Sequence, residues 1–250
     1  MFPKSRLLAI STVLFLAPLM AVAQYGGAAV AALNGEDAGI VKSQPCIWVQ
    51  TIAITTHRPD GTTMTRYKTE RKWRDSNGRF RREIATTTEG QEPVFQIATI
   101  LDPVKNTITT LHMDTKTANV VHMPSGTLHT YVDADERDML AAPGVQIKVE
   151  NLKKKEIMGV SVVGRRVTRT RPPGSIGNNQ TIVSVNERWD APDLKIMMWR
   201  TLDDPRQGEH SEVTELKRIE PDAALFQVPS DYAMNEAQGK PLHEVIIPGH

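Results

Sequence analysis

The side chains that could carry chemistry are present in this sequence, but they are not arranged for it. His112, His122 and His129 fall in successive segments and could meet across strands, yet they lack the close, regular spacing that holds a metal ion. No H-E-x-x-H occurs. Gly159-Val160-Ser161-Val162-Val163-Gly164 has the wrong spacing, and β-branched neighbours, for a nucleophile elbow. There is no P-loop and no G-x-G-x-x-G. Asp133, Asp135, Glu136 and Asp138 invite a calcium reading but lack the central glycine and closing glutamate of a calcium loop. They read better as acids at the positive end of a short helix over Asp133–Ala142. The expectation is a binding protein and not an enzyme, with no cofactor and no metal. A hydrolase would need the fold to bring a nucleophile, a histidine and an acid into one cleft.

Two clusters suggest contact instead of catalysis. Arg79-Phe80-Arg81-Arg82 is strongly basic. On a strand, Arg79 and Arg81 share one face while Arg82 joins Phe80 on the other. These arginines are candidates for contact with anionic lipid headgroups or phosphate. The alternative is pairing with acids such as Glu70 and Glu83 on neighbouring strands. Lys153-Lys154-Lys155 and the set Arg165, Arg166, Arg169 and Arg171 form further basic groups. The second cluster is apolar. Ile196-Met197-Met198-Trp199 places apolar groups on both faces of a strand, whereas a solvated antiparallel sheet hides only one. Either a second layer of protein covers that strand, or it borders an apolar cavity for a ligand. Trp189, Met197, Met198 and Trp199 are the candidate cavity residues.

The elements that must position these groups are β-strands. Ile47–His57, Thr62–Trp73 and Arg79–Thr88 are separated by Arg58-Pro59-Asp60-Gly61 and Asp75-Ser76-Asn77-Gly78, both turn sequences. In the second run, Arg66, Lys68, Glu70 and Lys72 alternate and read as a solvent-facing row. The rhythm continues through Val94–Leu101, Thr107–Met113 and Ala118–Met123, breaks over Pro124–Gly144, and returns from Val145 to Ile219. Asp204-Pro205-x-x-Gly208 reads as a hairpin turn with Gly208 at positive φ. Pro221–Phe226 reads as a helical turn. About ten strands and one or two short helices predict a mainly β domain: a single curved antiparallel sheet, a half-barrel with short helices on its concave side.

The ends of the chain read differently. Met1–Arg6 is basic, Leu7–Met20 is apolar, and Ala21-Val22-Ala23 closes the run. That is the order of a secretory signal peptide, and its apolar part is shorter than the roughly 20 residues of a membrane span. The expected address is the periplasm or the medium. The competing expectation is that the segment is kept as an anchor. Residues 24–45 read as a flexible lead-in, 46–232 as one β-rich domain and 233–250 as a tail. The whole chain has 30 Lys+Arg against 29 Asp+Glu, 40% hydrophobic residues and one Cys. Setting aside Lys4 and Arg6 leaves 28 basic and 29 acidic groups, which gives no push toward nucleic acid. Cys46 has no partner for a disulfide and reads as a small buried residue at a strand start.

Several stretches carry a resemblance. They are Arg74-Asp75-Ser76-Asn77-Gly78-Arg79-Phe80-Arg81-Arg82-Glu83, Gly159-x4-Gly164-x-Arg166 and Glu187-Arg188-Trp189-Asp190-Ala191-Pro192-Asp193-Leu194. With them go Asp204-Pro205-Arg206-Gln207-Gly208-Glu209 and Glu220-Pro221-Asp222-Ala223-Ala224-Leu225-Phe226-Gln227-Val228-Pro229-Ser230-Asp231-Tyr232. Together they resemble a family of uncharacterised exported bacterial proteins. More distantly, the order of elements is similar to the LolA/LolB-like lipoprotein carriers. That resemblance implies a curved sheet wrapped over short helices around an apolar cavity. The partners it implies are a lipid or a lipoprotein acyl chain, with only peripheral contact to a membrane. The alternative reading is an envelope sensor or assembly module that binds another protein through a sheet edge or the Arg-rich face.

Overall fold

A computed structural model describes residues 39–87, 91–125, 128 and 144–239. The strands are β1 (Cys46–His57), β2 (Thr63–Arg74), β3 (Phe80–Thr87), β4 (Ile97–Asp102), β5 (Thr107–His112) and β6 (Thr117–His122). They continue with β7 (Gln146–Ile157), β8 (Val160–Arg171), β9 (Ile182–Ala191), β10 (Ile196–Asp204), β11 (Gln207–Lys217) and β12 (Ala233–Gln238). All twelve lie in one sheet, in the order β12-β6-β5-β4-β3-β2-β1-β11-β10-β9-β8-β7. Each half is a meander, β1 to β6 and β7 to β11. The pairing of β1 with β11 joins the halves. Neighbours are antiparallel except β12 and β6, which run parallel. The sheet is open and curled.

Three expectations need adjusting. Among the described residues there are twelve strands, where about ten were expected, and β12 lies in the stretch read as a tail. Its parallel pairing fits no hairpin pattern, so no local signal announced it. The helical layer is not confirmed. Among the described residues the one helical element is a 3-10 turn, Ala223–Phe226, capped by the Asp222 side chain. The expected signal peptide, most of the lead-in and the helix over 133–142 lie outside the described residues. Gly208 is not at positive φ. It sits inside β11 opposite Asp203, because Pro205 and Arg206 alone close the hairpin.

Hydrophobic burial divides between two clusters. The larger draws on nine strands, among them Trp48 of β1, Phe80 of β3, Ile108 of β5, Val162 of β8 and Met198 of β10. Burying a side chain of this size contributes about 1.5–3 kcal/mol, so the cluster dominates the favourable terms. The smaller lies on the opposite face of β4 to β6, where Phe226 covers Ala98, Ile100, Leu111 and Ala118. Leu225 and Phe226 therefore cover a face of the sheet. The β2 row departs from its expected exposure. Arg66 is exposed, but Glu70 and Lys72 are only 7% and 2% accessible, on the face that carries Trp48 and Phe80.

The β2–β3 turn shows how local chemistry sets the meander. The buried Asp75 accepts bonds at Oδ1 from the backbone N–H of Asn77 (3.0 Å) and Arg79 (2.8 Å). Its Oδ2 accepts from Arg79 Nε at 2.6 Å. Gly78 follows with φ of 82°, and a Cβ there would lie 2.9 Å from Ile40 Cγ2. Asp75→Ala strips partners from buried donors and is expected to cost about 2–4 kcal/mol in urea unfolding. Asp75→Asn keeps the Oδ1 contacts and should cost clearly less. Equal losses would show that the backbone bonds do not anchor the turn.

Candidate functional site

A hydrogen-bonded polar row crosses the centre of the sheet. Lys72 Nζ lies 2.9 Å from Glu70 Oε2 and donates to Gln50 Oε1 at 2.5 Å. Gln50 Nε2 donates to Ser211 Oγ at 2.6 Å. Ser211 stands opposite Arg200, which donates to Asn186 Oδ1 at 3.1 Å and pairs with Glu209 at 3.4 Å. The row thus spans β2, β1, β11, β10 and β9, and Glu70, Lys72, Gln50, Ser211 and Asn186 are all buried. Burying such charges costs several kcal/mol each unless they are paired and hydrogen-bonded, and here they are. The sequence signal was weak: Gln50 and Ser211 are single polar residues inside β-rich runs, and Lys72 belonged to a row that looked solvated.

The four expected cavity residues are near one another but differ in environment. Met198 is fully buried in the large cluster, and Met197 is 6% accessible. Both sit at a β-bulge, where the β10 register against β9 shifts between Met197 and Trp199. The bulge explains why consecutive residues are buried on this strand. Trp189 lies flat against Gly164, where a Cβ would come within 2.6–2.7 Å of its ring carbons. Lys155 Nζ stands 3.8 Å from the Trp189 ring centroid and 5.5 Å from that of Trp199. Trp199 meets His210 edge-on, with centroids 5.7 Å apart.

Trp189 is also held at its polar end. Its Nε1–H donates to Glu187 Oε1 at 2.9 Å, and Glu187 Oε2 accepts two bonds from Arg166, at 3.1 and 2.7 Å. Burial pushes the Glu187 carboxyl up, but the bonds from Trp189 and Arg166 outweigh it and hold the group below its ordinary value. Arg188 turns to Asp190 instead, at 2.7 Å.

The basic stretch on β3 is largely occupied by structure. Arg79 pairs with Asp75 and stacks 4.9 Å from the Phe226 ring centroid. Arg81 binds Glu83 at 2.7 Å and donates to the Leu225 carbonyl at 2.9 Å. Arg82 points to the Phe80 face, opposite Lys72. His112 and His122 lie at opposite ends of the β5–β6 hairpin, so they do not converge. His122 instead meets Glu236 of β12 at 3.1 Å. His129 lies outside the described residues. Among the described residues no cluster of three metal-ligating side chains occurs, and no helix is long and apolar enough to cross a membrane. Cys46 is fully buried and accepts from Arg74 at 3.3 Å.

A cavity of about 330 Å³ opens between β7, β8 and the β9–β10 turn. Leu152, Val163, Ala191 and Ile196 form its apolar wall. None of the four expected cavity residues lines it.

No family model matches the chain, and no curated protein matches it. Solved structures do. The crystal structure of MucB matches at a TM-score of 0.41 and 11% identity, over 82% of this chain and 65% of that one. The chain therefore spans about two thirds of the MucB chain. LprF from Mycobacterium bovis matches at 0.32 and 11% identity, over 85% of this chain and 97% of that one. LolA superfamily protein NE2245 from Nitrosomonas europaea matches at 0.29 and 8% identity, over 81% and 97%. The LolA superfamily, to which the sequence bears a distant resemblance, is thus among the solved structures matched.

Gly164→Ala drives a methyl group into the Trp189 ring and is expected to cost about 1–3 kcal/mol, with a red-shifted tryptophan emission. An unshifted emission at full stability would show that the ring does not rest on Gly164. Because Glu187 titrates below its ordinary value, its stabilisation is complete at neutral pH and is lost as pH falls through that lowered value. Melts of wild type and Glu187→Gln should therefore differ at pH 7 and draw together below about pH 4. A gap that persists into acid would mean the charge contributes nothing.

Proposed function

We propose that this chain is an exported binding protein of the cell envelope, which holds an apolar or lipid-like component against its curled sheet. Residues 1–23 act as the export signal, and 46–232 with the added β12 form the working domain. The observation that carries the reading is the single-layer architecture. Apolar side chains of nine strands converge in one cluster, and no second sheet lies against them among the described residues. Trp199, half-buried beside Lys155, stands at the border of that cluster. Trp189 and Met198 belong to the same cluster, and in this reading they form the wall behind it. An acyl chain there would contact flexible methionines, which adapt to irregular apolar shapes.

A second reading is supported by the edge of the sheet. β7 is twelve residues long and, among the described residues, pairs only with β8. An extended envelope protein segment could add to it as a further strand. Lys148, Lys153 and Lys154 on this edge favour an acidic segment.

Titration with a fatty acid tests the leading reading. Wild-type tryptophan emission should change saturably, and Trp199→Phe should lose most of that change while folding normally. Emission indifferent to the fatty acid, in protein that melts cooperatively, would count against an apolar ligand.

A further inference from the structure

The outer edge of β7 carries a charge pattern that matches itself. No residue of β7 is buried, and among the described residues only β8 pairs with it. An exposed edge presents backbone N–H and C=O groups that template further pairing. From Gln146 to Leu152 the strand runs regularly against Thr170 to Gly164 of β8. Beyond that stretch the register shifts between Leu152 and Lys155. The bulge and the run Lys153-Lys154-Lys155 end the regular ladder there.

Within the regular stretch, Lys148 and Glu150 flank Val149 and share one face of the strand. A second copy laid antiparallel about Val149 sets Lys148 opposite Glu150 of that copy, and Glu150 opposite its Lys148. Val149 then meets Val149 on the other face. It is 41% accessible in the single chain, and the contact covers it. Lys148 and Glu150 already lie 3.2 Å apart along their own strand, with side chains 70% and 37% accessible. One exposed pair of this kind contributes little. Two of them side by side form a square in which each charge has two opposite neighbours. Opposite charges directly across strands stabilise a ladder, and like charges oppose it. A parallel, in-register copy would set Lys148 against Lys148, so charge selects the antiparallel arrangement. The other edge has no such match: the one charged residue of β12, Glu236, lies 3.1 Å from His122.

We infer that β7 is the interface of a two-fold homodimer, in which two copies of this chain pair antiparallel over residues 146–152 and continue one sheet through both. A two-fold contact uses the same patch on each copy and closes on itself. The occupant of this edge is therefore a second copy and not a foreign segment. The inference does not rest on the lipid-like reading.

Sedimentation equilibrium of the folded protein over a range of concentrations tests it. Wild type should show a monomer–dimer equilibrium with no larger species. Lys148→Glu or Glu150→Lys alone sets like charges against each other twice per dimer, and each should weaken association about tenfold or more. The exchange of both, Lys148→Glu with Glu150→Lys, restores opposite pairs in the same register and should return the affinity to within about threefold of wild type. Both positions are at the surface, so all three variants should melt with wild type. Val149→Cys faces itself across the two-fold axis and should form a covalent dimer under mild oxidation. Lys154→Cys, carried away by the antiparallel stagger, should not. A monomer at every concentration overturns the inference. So does a dimer that survives the single reversals, or one that the exchange fails to restore. A monomer that instead takes up an acidic peptide gives the edge to a foreign segment and overturns it as well.

Discussion

Everything in this molecule depends on the pairing of β1 with β11. Those strands are distant in sequence, and Gln50 bonds Ser211 across 161 positions. Each half of the chain is a meander that local turns can build. Only this one long-range ladder makes the two halves a single sheet. The ladder carries a register shift at Val49 and Gln50, which admits an extra residue on β11. Register matters here because a slip by one residue would move every side chain to the other face. Trp48 would leave the large cluster, and Gln50 would lose Ser211.

The polar row crosses this same junction. A row of charged groups beside a large apolar cluster costs free energy, and removing both partners for apolar groups is often neutral in other proteins. What the row supplies is discrimination between registers. Lys72, Gln50 and Ser211 satisfy one another in only one alignment of β2, β1 and β11. The apolar cluster tolerates shifts that the hydrogen bonds do not. Stability and specificity are thus carried by different residues on one face.

The sequence made the meander legible because each β-strand run is bounded by turn chemistry that acts locally. Asp75, Gly78 and Gly61 do in the structure what their positions suggested. The Arg166–Glu187 pair was also within reach of strand reasoning, whereas Arg81 meets Glu83 on its own strand and not across strands as expected. Gly208 is a local miss, since a two-residue turn closes its hairpin; the other failures depend on distant partners or broken strand period. β12 pairs in parallel with a strand more than a hundred residues earlier, so no hairpin signal exists for it. Glu70 and Lys72 alternate as a solvated row would, and only the partners from β1 reveal them as interior. The bulges at Lys153–Lys154 and at Met198 break the period on which face assignment rests. The cavity beside them was invisible for that reason.

The sheet gathers apolar groups from most of its strands, and among the described residues no second sheet lies against them. Native mass spectrometry of the protein released gently from the envelope that produces it tests most directly whether those groups hold a ligand. The account predicts an added mass of an acylated or lipid species, lost on solvent extraction and regained when the extract is returned. A spectrum of bare polypeptide from cooperatively melting protein, unchanged by added extract, would contradict it.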